Sequence, residues 1–365
     1  MDYNNDDEGW MGLLRMIREN CPYISEQLDV DGQQDFIQDM SDEDWEQLGR
    51  DISNNTHLES LLLVKGALND HKISFLFQGL RSSSIKDMSL NENELSVAAV
   101  RSMVPFLQNA NNLQSLALDK NNIQSEGFNM LFRALCDSPI EELSCKNCGI
   151  ESIEIDNNHI PKHLKTLYLN RNSINADGCR EIAKLLRGED STLTNLYLAS
   201  NFIDDEGVEI LVGALQNNTA LASLNLLGRG NNLTKQGTIM LLKLVNDISS
   251  IEATLRSNHT LRYIILTPSD EDAQIHEHIR MATVINRLPE EAARAKVIQT
   301  QLQSATRAIL AELQGANHSL YSEINPLHLP EVLALVGRHH GQIELYVALR
   351  SSIAELTSTV NRKEV

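Results

Sequence analysis

Residues 113–123 read LQSLALDKNNI, and two further stretches of the chain repeat this order of residues. Residues 164–174 read LKTLYLNRNSI, and residues 193–203 read LTNLYLASNFI. In each stretch leucine occupies the first, fourth and sixth positions, asparagine the ninth and isoleucine the eleventh. Apolar residues that alternate with polar ones over so short a span predict a half-buried β-strand, and their recurrence predicts a repeat architecture.

The same frame extends over the middle of the chain. Its first position recurs at intervals of 27, 28, 27, 24, 29, 28 and 40 residues, at Leu58, Ile85, Leu113, Ile140, Leu164, Leu193, Leu221 and Leu261. After the strand pattern, Gly127, Leu131 and Leu135 are spaced four residues apart, as are their equivalents in later units. This spacing places the side chains on one face of a helix. Each unit is therefore predicted to be a strand followed by a helix, with successive strands parallel.

Two units depart from the common length. The unit between Ile140 and Leu164 contains Pro161 and lacks the helix pattern, so its second half is predicted to be extended or turn-like. The unit between Leu221 and Leu261 has about twelve extra residues, which predict a lengthened or doubled helix.

The pattern and its spacing are similar to those of leucine-rich repeat proteins of the ribonuclease-inhibitor-like class. The resemblance implies an α/β solenoid, with a parallel sheet on the concave side and helices on the convex side. It also implies caps at both ends, since terminal repeats would otherwise expose apolar core. The expected domains are an acidic N-terminal cap with a degenerate repeat at 1–56, leucine-rich repeats at 57–270 and a helical C-terminal extension at 271–365.

The charge of the chain argues against two classes of partner. The 365 residues include 31 Lys and Arg against 50 Asp and Glu, a formal net charge of −19. Binding to nucleic acid or to an anionic membrane needs positive charge, so the sequence predicts neither partner. Residues 1–51 contain fifteen of the acids and only three Arg. This excess is interpreted as a solvated helix face, and a docking arm for a basic partner is the alternative.

The cellular compartment is predicted from the N-terminus and the cysteines. The first residues are acidic and do not resemble a secretion signal, and no apolar run approaches the length of a membrane span. Five cysteines in such a chain are predicted to be reduced thiols. The expected location is the cytoplasm, with the nucleus as an alternative.

Cys145 and Cys148 have a spacing typical of redox sites and of half a zinc site. Both fall at inward positions of the repeat, where Cys145 replaces a leucine and Cys148 replaces the ninth-position asparagine. We therefore predict buried thiols without metal or redox function. Two histidine pairs lack metal-ligand spacing and are predicted to lie on the surface, His276 with His278 and His339 with His340. We expect no catalytic residue, no metal and no cofactor.

The residues between the inward leucines are predicted to face solvent on the concave side, because side chains alternate along a strand. These outward positions supply the predicted partner-binding residues Tyr168, Tyr197, Asn225, Lys120, Lys146 and Arg171. Aromatic residues with Arg are typical of protein-binding hot spots. A cross-strand tyrosine pair that only stabilises the sheet is an equally good interpretation.

We predict a non-enzymatic scaffold that binds another protein through this concave face, with Lys146 and Arg171 selecting acidic groups. The alternative is a regulator of a small GTPase, because ribonuclease-inhibitor-like repeats also occur in the Ran GTPase-activating protein. A bulged loop at residues 228–230 offers Arg229 for such a role. That loop does not correspond to the N-terminal catalytic position of the family, so this alternative depends on fold analogy.

Overall fold

Nine short strands form one sheet in a computed structural model, which describes residues 7–22, 27–29, 40–81, 83–187, 191–268 and 272–287 together with Lys296. All neighbouring strands are parallel, and their order in the sheet follows the chain. The strands are β1 (Gln27–Asp29), β2 (Ser60–Leu62), β3 (Asp87–Ser89), β4 (Ser115–Ala117), β5 (Glu142–Ser144), β6 (Thr166–Tyr168), β7 (Asn195–Tyr197), β8 (Ser223–Asn225) and β9 (Tyr263–Ile265).

Helices connect most of the successive strands. Those of the described residues are α1 (Asp7–Arg18), α2 (Asp42–Asn54), α3 (Asp70–Gly79), α4 (Val97–Leu107), α5 (Gln124–Ala134), α6 (Ala176–Leu186), α7 (Asp205–Leu215), α8 (Lys235–Val245), α9 (Ile251–Arg256) and α10 (Ala273–Ile285). Consecutive helices from α2 to α5 pack side by side, as do α6, α7 and α8. The predicted α/β solenoid is therefore confirmed.

The core lies between the sheet and the helices. The middle residue of a strand points into it, and in register Leu116, Leu143 and Leu167 follow one another with no exposed surface. The helix positions Leu131 and Leu135 complete the same layer and are equally buried. A core of this kind is what a solenoid needs, because each repeat buries its apolar face only against its neighbours.

Ninth-position asparagines satisfy the buried backbone where each strand ends. Asn172 donates from Nδ2 to the carbonyls of Cys145 (2.8 Å) and Leu169 (3.0 Å). Its Oδ1 accepts from the amides of Cys148 (2.9 Å) and Ile150 (3.1 Å). The equivalent residues of other repeats also bridge neighbouring turns, and they are Asn93, Asn121, Asn201 and Asn231. An amide is suited to this role because it both donates and accepts.

The short unit lacks a convex helix, as the sequence predicts. Cys148 takes the asparagine position, and its Sγ donates to the carbonyl of Leu118 at 3.1 Å. Residues 151–163 lie between α5 and α6 without helical structure. Side chains of both helices bind this segment, since Ser125 Oγ accepts from the amide of Glu151 (3.0 Å) and Lys184 Nζ donates to the carbonyl of Ile155 (3.0 Å).

The long unit contains two helices in its convex part, α8 and the short α9, so the predicted doubling is confirmed. At the C-terminal end α10 packs against α8 and β9. Further helices predicted around residues 298–313, 333–336 and 343–356 lie outside the described residues. The division at residues 56 and 270 stays a prediction.

Candidate partner-binding surface

Tyr168 and Tyr197 stand side by side on the concave face. They are register partners on β6 and β7, and their rings are stacked with centroids 4.5 Å apart and planes inclined by 13°. Burial raises the pKa of Tyr168, and the neighbouring carboxylate of Glu142 acts in the same direction. The Tyr168 hydroxyl is therefore neutral near pH 7 and remains available as a hydrogen-bond donor.

Lys146 is fixed against this stack. Its Nζ lies 4.3 Å from the centroid of the Tyr168 ring and 3.0 Å from Asp119 Oδ2. Asp119 also accepts hydrogen bonds from Ser144 Oγ and from the amide of Lys146. The ammonium group thus combines an ion pair with a cation–π contact and holds one ring in place.

Two of the three predicted basic residues, Lys120, Lys146 and Arg171, have acidic partners. Lys120 and Lys146 do lie on the concave side, but Lys120 pairs with Glu92 (3.0 Å) and Lys146 with Asp119. In both pairs the acid belongs to the preceding repeat, Glu92 in the turn after β3 and Asp119 in the turn after β4. Arg171 is exposed and forms no ion pair within the described part of the chain.

Charge divides the concave face into two halves. The N-terminal half, residues 59–65, 86–92, 114–120 and 141–147, carries six acids and four lysines. The C-terminal half, residues 165–171, 194–200, 222–229 and 262–267, carries four cations and no acid. Lys165 pairs with Glu141 (2.7 Å), whereas Arg171, Arg229 and Arg262 form no ion pair with a described residue. The C-terminal half is therefore locally positive on a strongly acidic protein.

Apolar side chains extend this half beyond the predicted residues. Leu227, Tyr263 and Ile265 are 40%, 47% and 38% exposed, and Ile265 is the register partner of Asn225. The guanidinium of Arg287 lies 4.4 Å from the centroid of the Tyr263 ring. None of these three apolar residues is among the predicted partner-binding residues, although Ile265 occupies an outward strand position. The available signal was the occurrence of large apolar residues at outward strand positions.

A rigid loop after β8 presents Leu227 and Arg229. Gly228 adopts a φ of 120°, and a Cβ added there would lie 2.2 Å from Ser200 Oγ. The amide of Ser200 donates to the carbonyl of Leu227 at 2.7 Å, and the amide of Gly228 donates to Thr267 Oγ1 at 2.8 Å. Only glycine allows such close contact with the preceding repeat, so the predicted bulge is a fixed part of the rim.

Other candidate chemistry lies away from this surface. Cys145 and Cys148 are fully buried, and the hydrogen bond to Cys148 together with burial raises the pKa of Cys145. Within the described ranges, no three His, Cys, Asp or Glu side chains are placed to hold a metal ion. Among the helices of those ranges, none has the length and apolar character that crossing a bilayer requires.

The comparisons with known proteins define the class. A family model described as "Leucine Rich repeat" matches residues 109–131, 161–183 and 189–212. The chain is a leucine-rich repeat protein, and its repeats are of the ribonuclease-inhibitor-like class.

Individual relatives share part of the chain. A ribonuclease inhibitor from Sus scrofa is 27% identical over 186 residues, which cover 48% of this chain and 40% of the inhibitor. NACHT, LRR and PYD domains-containing protein 5 from Mus musculus is 25% identical over 183 residues, covering 48% of this chain and 16% of that protein. The chain thus spans well under half the length of these curated relatives. A crystal structure of a TLR13–ssRNA13 complex has 18% identity and a TM-score of 0.35, covering 64% of this chain and 32% of that chain.

Proposed function

We propose that the protein is a non-enzymatic scaffold that binds another protein through the C-terminal half of its concave face. The observation that supports this most is the stacked pair Tyr168 and Tyr197, in a half of the face whose three arginines have no acidic partner among the described residues. Tyrosine and arginine supply large contact areas and are enriched where interfaces gain most of their binding energy. An interface centred on this pair would extend over Asn225 to Leu227 and Ile265.

The expected partner presents apolar side chains flanked by carboxylates. Arg171, Arg229 and Arg262 are available to pair with such carboxylates, whereas Lys120 and Lys146 already have acidic partners. Arginine binds carboxylates through two parallel hydrogen bonds, which gives orientation as well as attraction. We therefore assign Arg171 the selecting role predicted for it, and Lys146 the role of positioning Tyr168.

We also propose a cytoplasmic location. The five cysteines are free thiols in the structure, which fits a reducing compartment. Nothing in the structure or in the similar proteins supports the alternative of a Ran-type GTPase regulator. We assign Arg229 instead to pairing with a partner's carboxylate at the rim of the concave face.

Affinity capture with matched variants tests the proposed surface. The wild-type chain, Tyr168→Ala/Tyr197→Ala and Glu209→Ala/Lys243→Ala are immobilised, and proteins retained from a lysate of the source cells are quantified by mass spectrometry. The last variant changes exposed residues of α7 and α8 on the convex side. We expect proteins that the wild type and the convex variant retain equally and the tyrosine variant loses. Retention that depends on the convex residues and not on the tyrosines would refute the proposal.

A further inference from the structure

A second row of asparagines runs along the convex side, where helices end and the next strand begins. Asn218 Nδ2 donates to the carbonyl of Leu186, the last residue of α6, at 2.8 Å. Its Oδ1 accepts from the amides of Ala220 and Leu221, at 3.0 and 2.7 Å. Asn258 repeats the arrangement one unit later, with Nδ2 donating to the carbonyls of Leu215, the last residue of α7, and of Asn218, at 2.8 and 3.0 Å.

The next position in this row holds a lysine ammonium group in place of an amide. Lys296 is fully buried, and its Nζ donates to the carbonyl of Val245, the last residue of α8, and to that of Asn258 at 3.2 Å. The carbonyls of Val245 and Asn258 correspond by position to those of Leu215 and Asn218, to which Asn258 donates in the unit before. Asn286, at the end of α10, donates to the carbonyls of Asn258 and Leu261 (3.2 and 2.6 Å) and leaves that of Val245 to the lysine.

The third contact of the ammonium group is a histidine nitrogen. His259 Nδ1 lies 3.1 Å from Lys296 Nζ, and His259 Nε2 lies 3.1 Å from the carbonyl of Leu255. A carbonyl can only accept, so Nε2 carries the hydrogen of the neutral ring and Nδ1 is the acceptor. Burial, and then the charge of Lys296, lower the pKa of His259, which keeps the ring neutral near pH 7.

We infer that the C-terminal end of the solenoid carries a binding site for a primary ammonium group, formed by Val245 O, Asn258 O and His259 Nδ1 and filled by Lys296 of the same chain. Each of these three acceptors can take an N–H donor of an ammonium group. Carbonyls at the end of a helix also favour a cation through the helix dipole. The site fastens Lys296 to the last repeat, at the end of the solenoid where a cap is needed.

Hydrogen exchange with chemical rescue tests this site. The amides of Thr260 and Leu261 are held by Asn258 Oδ1, both at 2.9 Å, whereas those of Ala220 and Leu221 are held by Asn218 and serve as an internal reference. In Lys296→Ala we expect at least about tenfold faster exchange at Thr260 and Leu261 and no change at the reference amides, since charged hydrogen bonds are lost.

The rescue uses two cations at pH 6.5, because burial lowers the pKa of Lys296 to about 7. Added n-butylammonium should restore slow exchange in Lys296→Ala, and tetramethylammonium, which has no N–H group, should not. Lys243→Ala, which removes an exposed lysine of α8, should exchange like the wild type. Unchanged exchange in Lys296→Ala, or equal effects of the two cations, would overturn the inference.

Faster exchange at the reference amides as well would mean that Lys296→Ala has unfolded more widely. In that event Lys296→Arg and Lys296→Gln decide the question. The arginine variant keeps the charge and the N–H donors and should retain slow exchange at Thr260 and Leu261, whereas the neutral glutamine variant should lose it. Equal protection in these two variants would refute an ammonium site.

Discussion

Single side chains determine whether the buried backbone of each repeat is hydrogen-bonded. Asn172 serves two carbonyls and two amides, all within 3.1 Å. Cys148 occupies the same position one repeat earlier and offers one weak S–H donor to the carbonyl of Leu118. The two residues therefore differ in how many backbone groups depend on them.

Replacing each of these residues by alanine should reveal that difference. We expect Asn172→Ala to lower the free energy of unfolding by about 2–3 kcal/mol, because several buried groups lose their partners at once. Cys148→Ala should cost about 1 kcal/mol, a typical value for a small core change. Denaturant unfolding of the two variants measures both values, and an equal or larger loss for Cys148→Ala would contradict the assigned roles.

The buried thiols should be unreactive in the folded protein. Cys145 and Cys148 are fully buried, and burial raises the pKa of Cys179 to about 12, so the reactive thiolate is scarce at pH 8. Titration with a thiol reagent should label at most the partly exposed Cys21 and Cys136 before unfolding, and all five cysteines after it. Prompt labelling of Cys145 or Cys148 in the native protein, or stoichiometric zinc lost in Cys145→Ser, would contradict a purely structural role.

At the scale of elements, α2 and α3 approach more closely than the repeat pattern requires. A Cβ added to Gly49 would lie 2.1 Å from the carbonyl oxygen of Leu76, and one added to Gly79 would lie 2.1 Å from that of Glu46. The two helices are thus in backbone contact through a pair of glycines. The atoms that an added Cβ would meet belong to the backbone, so no flexible side chain can move aside to make room for it.

Gly49→Ala should therefore destabilise the fold by about 3 kcal/mol, the upper part of the usual range for overpacking. Gly213 on α7 is the matched control, because a Cβ there would meet no atom within 4 Å. Gly213→Ala should leave stability unchanged or raise it by up to about 1 kcal/mol through helix propensity. Thermal melting compares the two, and equal melting temperatures would show that α2 and α3 separate at little cost.

Much of the fold could be predicted from the sequence because its signals are local and recur. The inward frame through Leu116 and Leu167, the absent helix after Ile150 and the doubled helix before Leu261 all follow from spacing. The candidate surface was predicted less completely. The acids that pair with Lys120 and Lys146 come from neighbouring turns, and contacts between repeats are not visible within one copy of the pattern.

At the scale of the whole molecule, the net charge of −19 conceals a positive region. The C-terminal half of the concave face has no acid, while the N-terminal half has more acids than lysines. An acidic ligand is therefore directed to β6–β9, because like charges repel it elsewhere on the face. Composition alone could not predict this, since it averages over the two halves.

The central claim, that this half binds a partner protein, is tested most directly by calorimetric titration of a partner retained in the affinity capture. Tyr168→Ala/Tyr197→Ala should weaken its binding at least about thirtyfold, since a hot-spot aromatic contributes about 2 kcal/mol or more. The same variant should lose only about 1 kcal/mol of stability, as expected for an exposed cross-strand pair.

The companion variant Leu196→Ala removes a fully buried side chain and should cost about 2–5 kcal/mol of stability. Melting curves and titrations of the two variants are recorded together. The account predicts a tyrosine variant that melts close to the wild type and binds weakly. A tyrosine variant that melts as early as Leu196→Ala and still binds with wild-type affinity would contradict it.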